Sequence, residues 1–489
     1  MVDSIQYILN PREAHEAEQQ WRVVKRSVDA RQRELKVHLT VLTDDEGKPV
    51  AKDAPIPLYE PPVFQDVHKA KRSVVIIGCG PAGLFAALTL LEHGIKPIIY
   101  ERGKEVSERK KDIALLNRNE GLNPESNYCF GEGGAGTFSD GKLFSRSKKR
   151  GNMQRVMELF HYFGTPDTVL YEAHAHIGSD KLPSIIKKMR ECILAHGGEI
   201  HFETKIESLK EFKMPVILAI GHSAHDTYRM LTAEGVAMET KGFAMGVRLE
   251  HPQALINRLM YHSDNVEYVG NASYSLVTQV DGRGVYSFCM CPGGHIVPAG
   301  SEPGSCVVNG MSASHRNSPY ANSGMVVQIN PEDIAGEDPL RGLEYQEELE
   351  RLAFEHGGPQ AQAPTQRMRD FVEGRASSDL PACSYLPGIV SSRLDQWLPA
   401  HIGKRLQQGF RDFDRKYPGI LTNDAVLLGV ESRSSSAVRI VRDATTLQSI
   451  STPNLYPCGE GAGYAGGITS SALDGINAAL QISKELLSE

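Results

Sequence analysis

The run SVVIIGCGPAGLFAALTLLEHGIKPIIYERG, residues 73–103, constrains the fold more than any other stretch of the chain. The β-branched residues of VVII precede Gly78, Gly80 and Gly83, and an apolar helix-forming run follows, so a strand, a tight turn and a helix are expected in that order. Gly78 permits the turn, Gly80 lets backbone approach a pyrophosphate, and Gly83 lets helix and strand pack closely. The helix opens with Pro81 and Ala82, and its N-terminus favours the anion. Glu101 ends the second strand about 20 residues on, where an acid binds ribose hydroxyls, and Arg102 follows it. A turn needed only for packing would leave Glu101 unexplained, so dinucleotide binding is the reading.

The stretch Val74–Leu91 is uncharged and close to the length of a minimal membrane span, but its glycines and Pro81 break it where a strand–turn–helix requires. Membrane association is therefore not expected. A net charge of -7 offers no general attraction to nucleic acid, so a small-molecule substrate is expected and a nucleic-acid partner is not. The first thirty residues mix acids and bases without an apolar h-region, and the eight cysteines form no CxxC pair. A cytoplasmic protein without a structural metal site is expected.

At 489 residues the chain should hold several domains. Residues 1–70 read as a small N-terminal α/β unit, with a helix around Glu13–Arg31 and a strand and turn in LKVHLTVLTDDEGKPV. Residues 71–222 continue in α/β alternation; Ser179 or Asp180 is placed to cap a helix that Gly197 and Gly198 end. Residues 223–430 change to mixed strands, glycine turns and a helix over Arg341–Glu355, and read as an inserted substrate domain; residues 431–489 return to the first pattern. The fold class expected is α/β: a Rossmann-type cofactor domain split in sequence, an inserted mixed α+β domain and the N-terminal unit.

Three further segments point to FAD rather than NAD. FGEGGAGTFSDGKLFS, residues 130–145, puts Gly133, Gly134, Ala135, Gly136 and Thr137 in a second glycine-dense loop that suits a long cofactor lying against backbone. PVILAIGHSAHD brings Ala219 and Gly221 to a strand end beneath the dinucleotide, and Ile206 joins the cofactor contacts. NLYPCGEGAGYAGGITSSALDG, residues 454–475, offers Gly459 and Glu460 to the ribitol region and Gly466, Gly467, Ile468 and Thr469 to a flavin ring, before a helix that starts near Ser470.

These four segments resemble the glutathione-reductase-type FAD superfamily. The likeness narrows to the bacterial family of FAD-dependent dehydrogenases, also called NAD(FAD)-utilising dehydrogenases, through KRSVDARQR, GFAMGVRLEHPQALI, YSFCMCPGGHIVPAGSE, VNGMSASHRNSPYANS and GVESRSSSAVRI. It implies a split FAD domain, an inserted substrate domain and an appended N-terminal domain, and no particular substrate. One departure from the superfamily is the short KEFKM connection where a longer β-meander is usual, near the adenine.

No second glycine fingerprint occurs, so NADH or NADPH is expected only as a transient electron donor, with the substrate itself as the alternative hydride donor. Cys289 and Cys291, two apart on a strand, face one side and could form a dithiol; burial as small apolar residues is the expectation, and the pair is not expected to carry the essential redox step. His222 and His295 are general acid–base candidates, against a structural role for each. Arg248, Arg433 and Arg439 could hold a substrate carboxylate or form ion pairs. The function expected is FAD-dependent hydride transfer on a small organic substrate. The alternatives are a flavin monooxygenase and an FAD-binding RNA-modification or partner-binding protein that recruits a macromolecule through residues 1–70. Oligomeric state is left open.

Overall fold

The computed structural model describes residues 3–144 and 151–488; Ser145, the end of the second glycine-dense loop, lies outside them. Strand Ser73–Ile77 is apolar from Val74 onward because both of its faces are covered. Val74 and Ile76 pack among the helices Pro81–Glu92, Leu182–Ala195 and Ile468–Ser488, while Val75 and Ile77 join Leu218, Tyr228 and Val438 on the opposite face. The sheet runs Leu455–Pro457, Val216–Leu218, Ser73–Ile77, Lys96–Tyr100, Glu199–His201, with every neighbouring pair parallel. Leu455–Pro457 thus lies beside a strand far from it in sequence, and the glycine-rich segment that follows it emerges at the same sheet edge as Gly78 and Gly221.

A second core surrounds a seven-stranded, mostly antiparallel sheet in the order Val277–Val280, Arg283–Cys291, Tyr320–Ile329, Phe243–Pro252, Val426–Glu431, Ala363–Arg367, Ile389–Ser391. The helix Ala400–Lys416 lays Ile402, Leu406, Phe410 and Phe413 against it at helical spacing. The hairpin His295–Pro298 and Val308–Met311 projects beside this sheet. The short strands Met238–Thr240 and Val438–Ile440 pair with each other, and Val438 and Ile440 cover the parallel sheet.

The N-terminal unit is a three-stranded antiparallel sheet, Asp3–Leu9, Lys36–Thr43, Val23–Asp29, carrying one helix. That helix spans Pro11–Gln20, not Glu13–Arg31: Asn10 and Glu13 form a capping box at its start, and from Val23 the chain pairs with the central strand. Ladder pairing overrides the local helix propensity there. Asp180 does not cap the helix Leu182–Ala195; its carboxylate accepts from the Ser314 amide and hydroxyl instead, tying the two larger units together. Among the described residues, no helix is long and apolar enough to cross a membrane.

Candidate active site

A cavity of about 410 Å³ runs along the C-terminal ends of the parallel strands and reaches the seven-stranded sheet. Its walls bring together Gly78, Gly80, Pro81 and Ala82 of the first turn, Glu101 and Arg102, Gly134, Ala135 and Gly136, Ile206, Ala219 and Gly221, and Gly459, Glu460 and Gly466–Thr469. Gly83, Gly133 and Thr137 do not line it. A Cβ on Gly83 would stand 2.0 Å from the Gly78 carbonyl oxygen, so this glycine serves helix–strand contact. Gly133 donates its amide to the Cys79 carbonyl, and Thr137 is buried with its hydroxyl on the Glu132 carbonyl.

The late glycines divide in the same way. A Cβ on Gly461 would lie 2.3 Å from the Gly221 carbonyl oxygen, and one on Gly475 2.0 Å from that of Ala82, so these two let backbone meet backbone. A Cβ on Gly466 or Gly467 would meet no atom within 4 Å, and Gly467 has φ +100°. The helix after them starts at Ile468 rather than Ser470, which aims its unpaired first-turn amides along the cavity wall. Asp474 fastens this segment by accepting from the Gly459 amide and pairing bidentately with Arg442.

Glu101 is buried, and its carboxylate accepts from the backbone amides of Cys79, Gly103 and Gly131 at 2.8, 2.9 and 3.0 Å. It therefore organises three loops besides facing the cavity. Arg102 lies over the Phe130 ring and pairs with Glu125 and bidentately with Asp226, a network that closes the same end. Toward the seven-stranded sheet the wall includes Lys142, Phe144, Phe288, Cys289 and Asn309. Lys142, Phe288 and Asn309 were not singled out from sequence; the one available signal was a lysine inside the glycine-dense SDGKLFS.

His222 lines the cavity, with Nε2 3.0 Å from the Arg433 carbonyl oxygen and Nδ1 3.6 Å from Glu460. Burial lowers its pKa against the opposing pull of Glu460, so the ring is neutral, donates from Nε2 and presents a bare Nδ1. His295 is exposed at the start of its hairpin strand and lies outside the cavity, because the hairpin turns that side chain to solvent. All three arginines already pair with carboxylates, although Arg433 also lines the cavity. Arg433 pairs bidentately with Glu350 and donates to Ser301, Arg248 is buried on Glu431 and Asn322, and Arg439 pairs with Glu239 at the surface.

Cys289 lines the cavity and Cys291 is buried behind it. They do not sit on a regular strand: pairing with Tyr320–Ile329 breaks between Phe288 and Cys291, and Cys289 has φ +46°. The same-side projection expected from a two-residue spacing is therefore replaced by a bulge.

The geometry defines a nucleotide-cofactor cleft built on bare backbone. Residues 71–211 match an FAD binding domain, and residues 242–434 match the C-terminal domain-like region of FAD-dependent proteins. An uncharacterized protein of Clostridium beijerinckii is 42% identical to this chain, over 94% of it and 91% of the relative. The chain belongs to this family of FAD-dependent proteins, and it is an FAD-dependent oxidoreductase. The match is to FAD binding in general and does not single out the glutathione-reductase type. Among solved structures, CtdE in complex with FAD is 10% identical over 85% of this chain and 88% of its own, with a TM-score of 0.30. The halogenase PltM is 12% identical over 86% and 70%, TM-score 0.33, and a tetracycline destructase 13% over 85% and 82%, TM-score 0.32. At such scores the likeness bears on neither substrate nor mechanism.

The residues present fit FAD. Added side-chain atoms at Gly221, Gly466 and Gly467 would meet no atom within 4 Å, and at Gly80 only the Gly134 Cα at 3.8 Å, so at these four positions of the cavity wall bare backbone is open to a ligand.

Proposed function

We propose that this oxidoreductase performs hydride transfer on a small organic substrate held between FAD and the seven-stranded-sheet unit, in a glutathione-reductase-type arrangement. The carrying observation is that one cavity joins the glycine loops of the parallel sheet to Phe288 and Cys289 of the seven-stranded sheet and to Asn309 of the hairpin beside it. In this reading Glu101 holds the adenosine ribose, Gly80 and the helix start at Pro81 receive the pyrophosphate, Glu460 meets the ribitol, and Gly466–Thr469 lie along the ring.

When bound, FAD supplies a two-electron acceptor or donor. The chain's own groups bind, orient and exclude water. The first-turn amides after Gly467 offer partial positive charge to an anionic ring edge. Phe144 and Phe288 give the substrate end apolar walls, and Lys142 and Asn309 add a cation and an amide to them. His222, neutral, donates from Nε2 to the Arg433 carbonyl, which fixes its ring in the cavity wall 3.6 Å from Glu460. NADH or NADPH enters this scheme as a transient reductant.

The test is an anaerobic bleaching screen of the purified yellow protein with NADH, NADPH and fractionated metabolites. Bleaching by one compound with its two-electron product recovered supports the reading. A reduced nucleotide that yields hydroxylated product only with oxygen present would assign a monooxygenase instead. Salt-sensitive RNA binding lost on removal of residues 1–70, with no bleaching by any compound, would assign the recruiting role.

A further inference from the structure

The bulge at Cys289 joins a cluster that hydride transfer leaves unexplained. Lys142 Nζ stands 4.0 Å from Cys289 Sγ and 3.8 Å from Cys291 Sγ, and it also donates to the Met290 carbonyl. From the other side the Arg248 guanidinium donates to the Cys289 carbonyl at 2.9 Å and lies 3.6 Å from Cys291 Sγ. Lys142 thus reaches both sulfurs, and Arg248 reaches that of Cys291.

Cations outnumber carboxylates around them. Glu431 faces Arg248 at 3.1 Å, while Asp140 serves Lys142 at 3.8 Å and Arg316 in a bidentate pair. Three cations, Lys142, Arg248 and Arg316, therefore share two carboxylates. Asn322 and Asn309, which both contact Arg248, are neutral amides and add no negative charge. Lys142, with 33% of its side chain exposed at the cavity wall, shares its one carboxylate with Arg316, and a thiolate beside it pairs the cation left over. The hydrogen bond from the Cys291 thiol, then Lys142 and Arg248, hold Cys289 well below the usual thiol range against burial, while Cys291 is pushed up by that same bond and by burial. One thiolate and one thiol result.

Their position relative to the cofactor end follows from a second contact. Thr469 at the start of the last helix donates its hydroxyl to the Leu143 carbonyl at 2.7 Å, which ties the loop carrying Lys142 to the Gly466–Thr469 segment. Cys289 opens into the cavity at this end, and the left-handed bulge turns it there.

We propose that Cys289 and Cys291 form a redox dithiol that exchanges two electrons with FAD, an inference that rests on FAD occupying this cavity as argued above. In the oxidising direction the Cys289 thiolate and the Cys291 thiol form one S–S bond, the Cys291 S–H bond breaks, and two electrons with that proton pass to oxidised FAD, leaving it reduced and anionic. Charge and protons balance without a further reactant, and the reverse step returns thiolate and thiol. This replaces the packing role expected from sequence: a regular strand lacks the bulge, and the spacing CxC carries no sign of Lys142.

Two measurements test it. Anaerobic dithionite titration of the air-oxidised holoenzyme should consume about two equivalents per FAD, one for each two-electron centre, and Cys289→Ser or Cys291→Ser should reduce this to about one. Differential alkylation with peptide mapping, on wild-type protein with and without FAD, should show Cys289 and Cys291 blocked before reduction and free after it. Once free, Cys289 should react at pH 6 at least about tenfold faster than Cys291, and Lys142→Met should slow it. A wild-type protein that binds FAD, consumes about one equivalent and keeps both cysteines alkylatable throughout overturns the proposal whatever the variants do. A folded preparation that binds no FAD instead overturns the cofactor reading on which it rests.

Discussion

Two glycines three residues apart in one fingerprint should fail in different ways when given a methyl group. Gly80 has φ -79° and ψ -173°, which alanine adopts without strain, and its added Cβ would meet only the Gly134 Cα, at 3.8 Å. In the apoprotein, Gly80→Ala gains about 0.4–1 kcal/mol by narrowing the unfolded ensemble, and loses a comparable amount because alanine is a poorer N-cap than glycine. The urea midpoint should therefore move little. FAD affinity should fall, because the methyl occupies the space through which phosphate approaches backbone. Loss of one charge-assisted hydrogen bond, about 1.5–3 kcal/mol, raises Kd by about 10- to 150-fold. Gly83→Ala reverses the pattern. Its Cβ would sit 2.0 Å from the Gly78 carbonyl oxygen and 3.2 Å from Ile76 Cγ2, an overlap that no rotamer relieves. Helix and strand must separate, at about 1–3 kcal/mol of fold stability. Urea unfolding of both apoproteins and fluorescence titration with FAD separate the two effects. A Gly80→Ala protein with wild-type FAD affinity, or one as unstable as Gly83→Ala, would refute the reasoning.

Glu101→Ala should destabilise the apoprotein as well as weaken FAD binding, because three buried amides lose their acceptor at about 1–3 kcal/mol each before rearrangement; a thermal-melt midpoint equal to wild type without FAD would contradict this. Arg248→Met should cost about 3–5 kcal/mol by leaving Glu431 buried without its partner, and adding Glu431→Leu should restore much of it, as read by urea midpoints of the single and double variants. Burial raises the Glu250 carboxyl to about 7 from its ordinary 4.5, with the Ser384 amide and hydroxyl opposing. The folded state then holds a proton that the unfolded state has released, so stability falls as pH rises from about 4.5 to 7, by up to about 3 kcal/mol. Glu250→Gln should flatten that slope, and an unchanged slope in urea melts across this range would remove Glu250 as its source.

The strand, turn and helix of residues 73–92, and the acid after the next strand, were legible in the sequence because each rests on local chemistry. β-branched residues, positive-φ glycine and an apolar helical run specify conformation within a few positions of themselves. FAD as cofactor was legible for the same reason: four segments each offer small or glycine-rich backbone, three of them just after a strand. Which glycine serves which purpose was decided only by tertiary structure. Gly461 and Gly466 look alike in sequence, yet one presses on Gly221 and the other faces the cavity, because Leu455–Pro457 chooses Val216–Leu218 as its neighbour in the sheet. Long-range pairing likewise stopped the first helix at Gln20, took Asp180 to Ser314 and used up Arg433 on Glu350. The meeting of Lys142 with Cys289 and Cys291 is of this kind. It requires a loop from one sheet, a bulge in another and a hydroxyl on the last helix to converge, and residue type and spacing encode each part without encoding their distance.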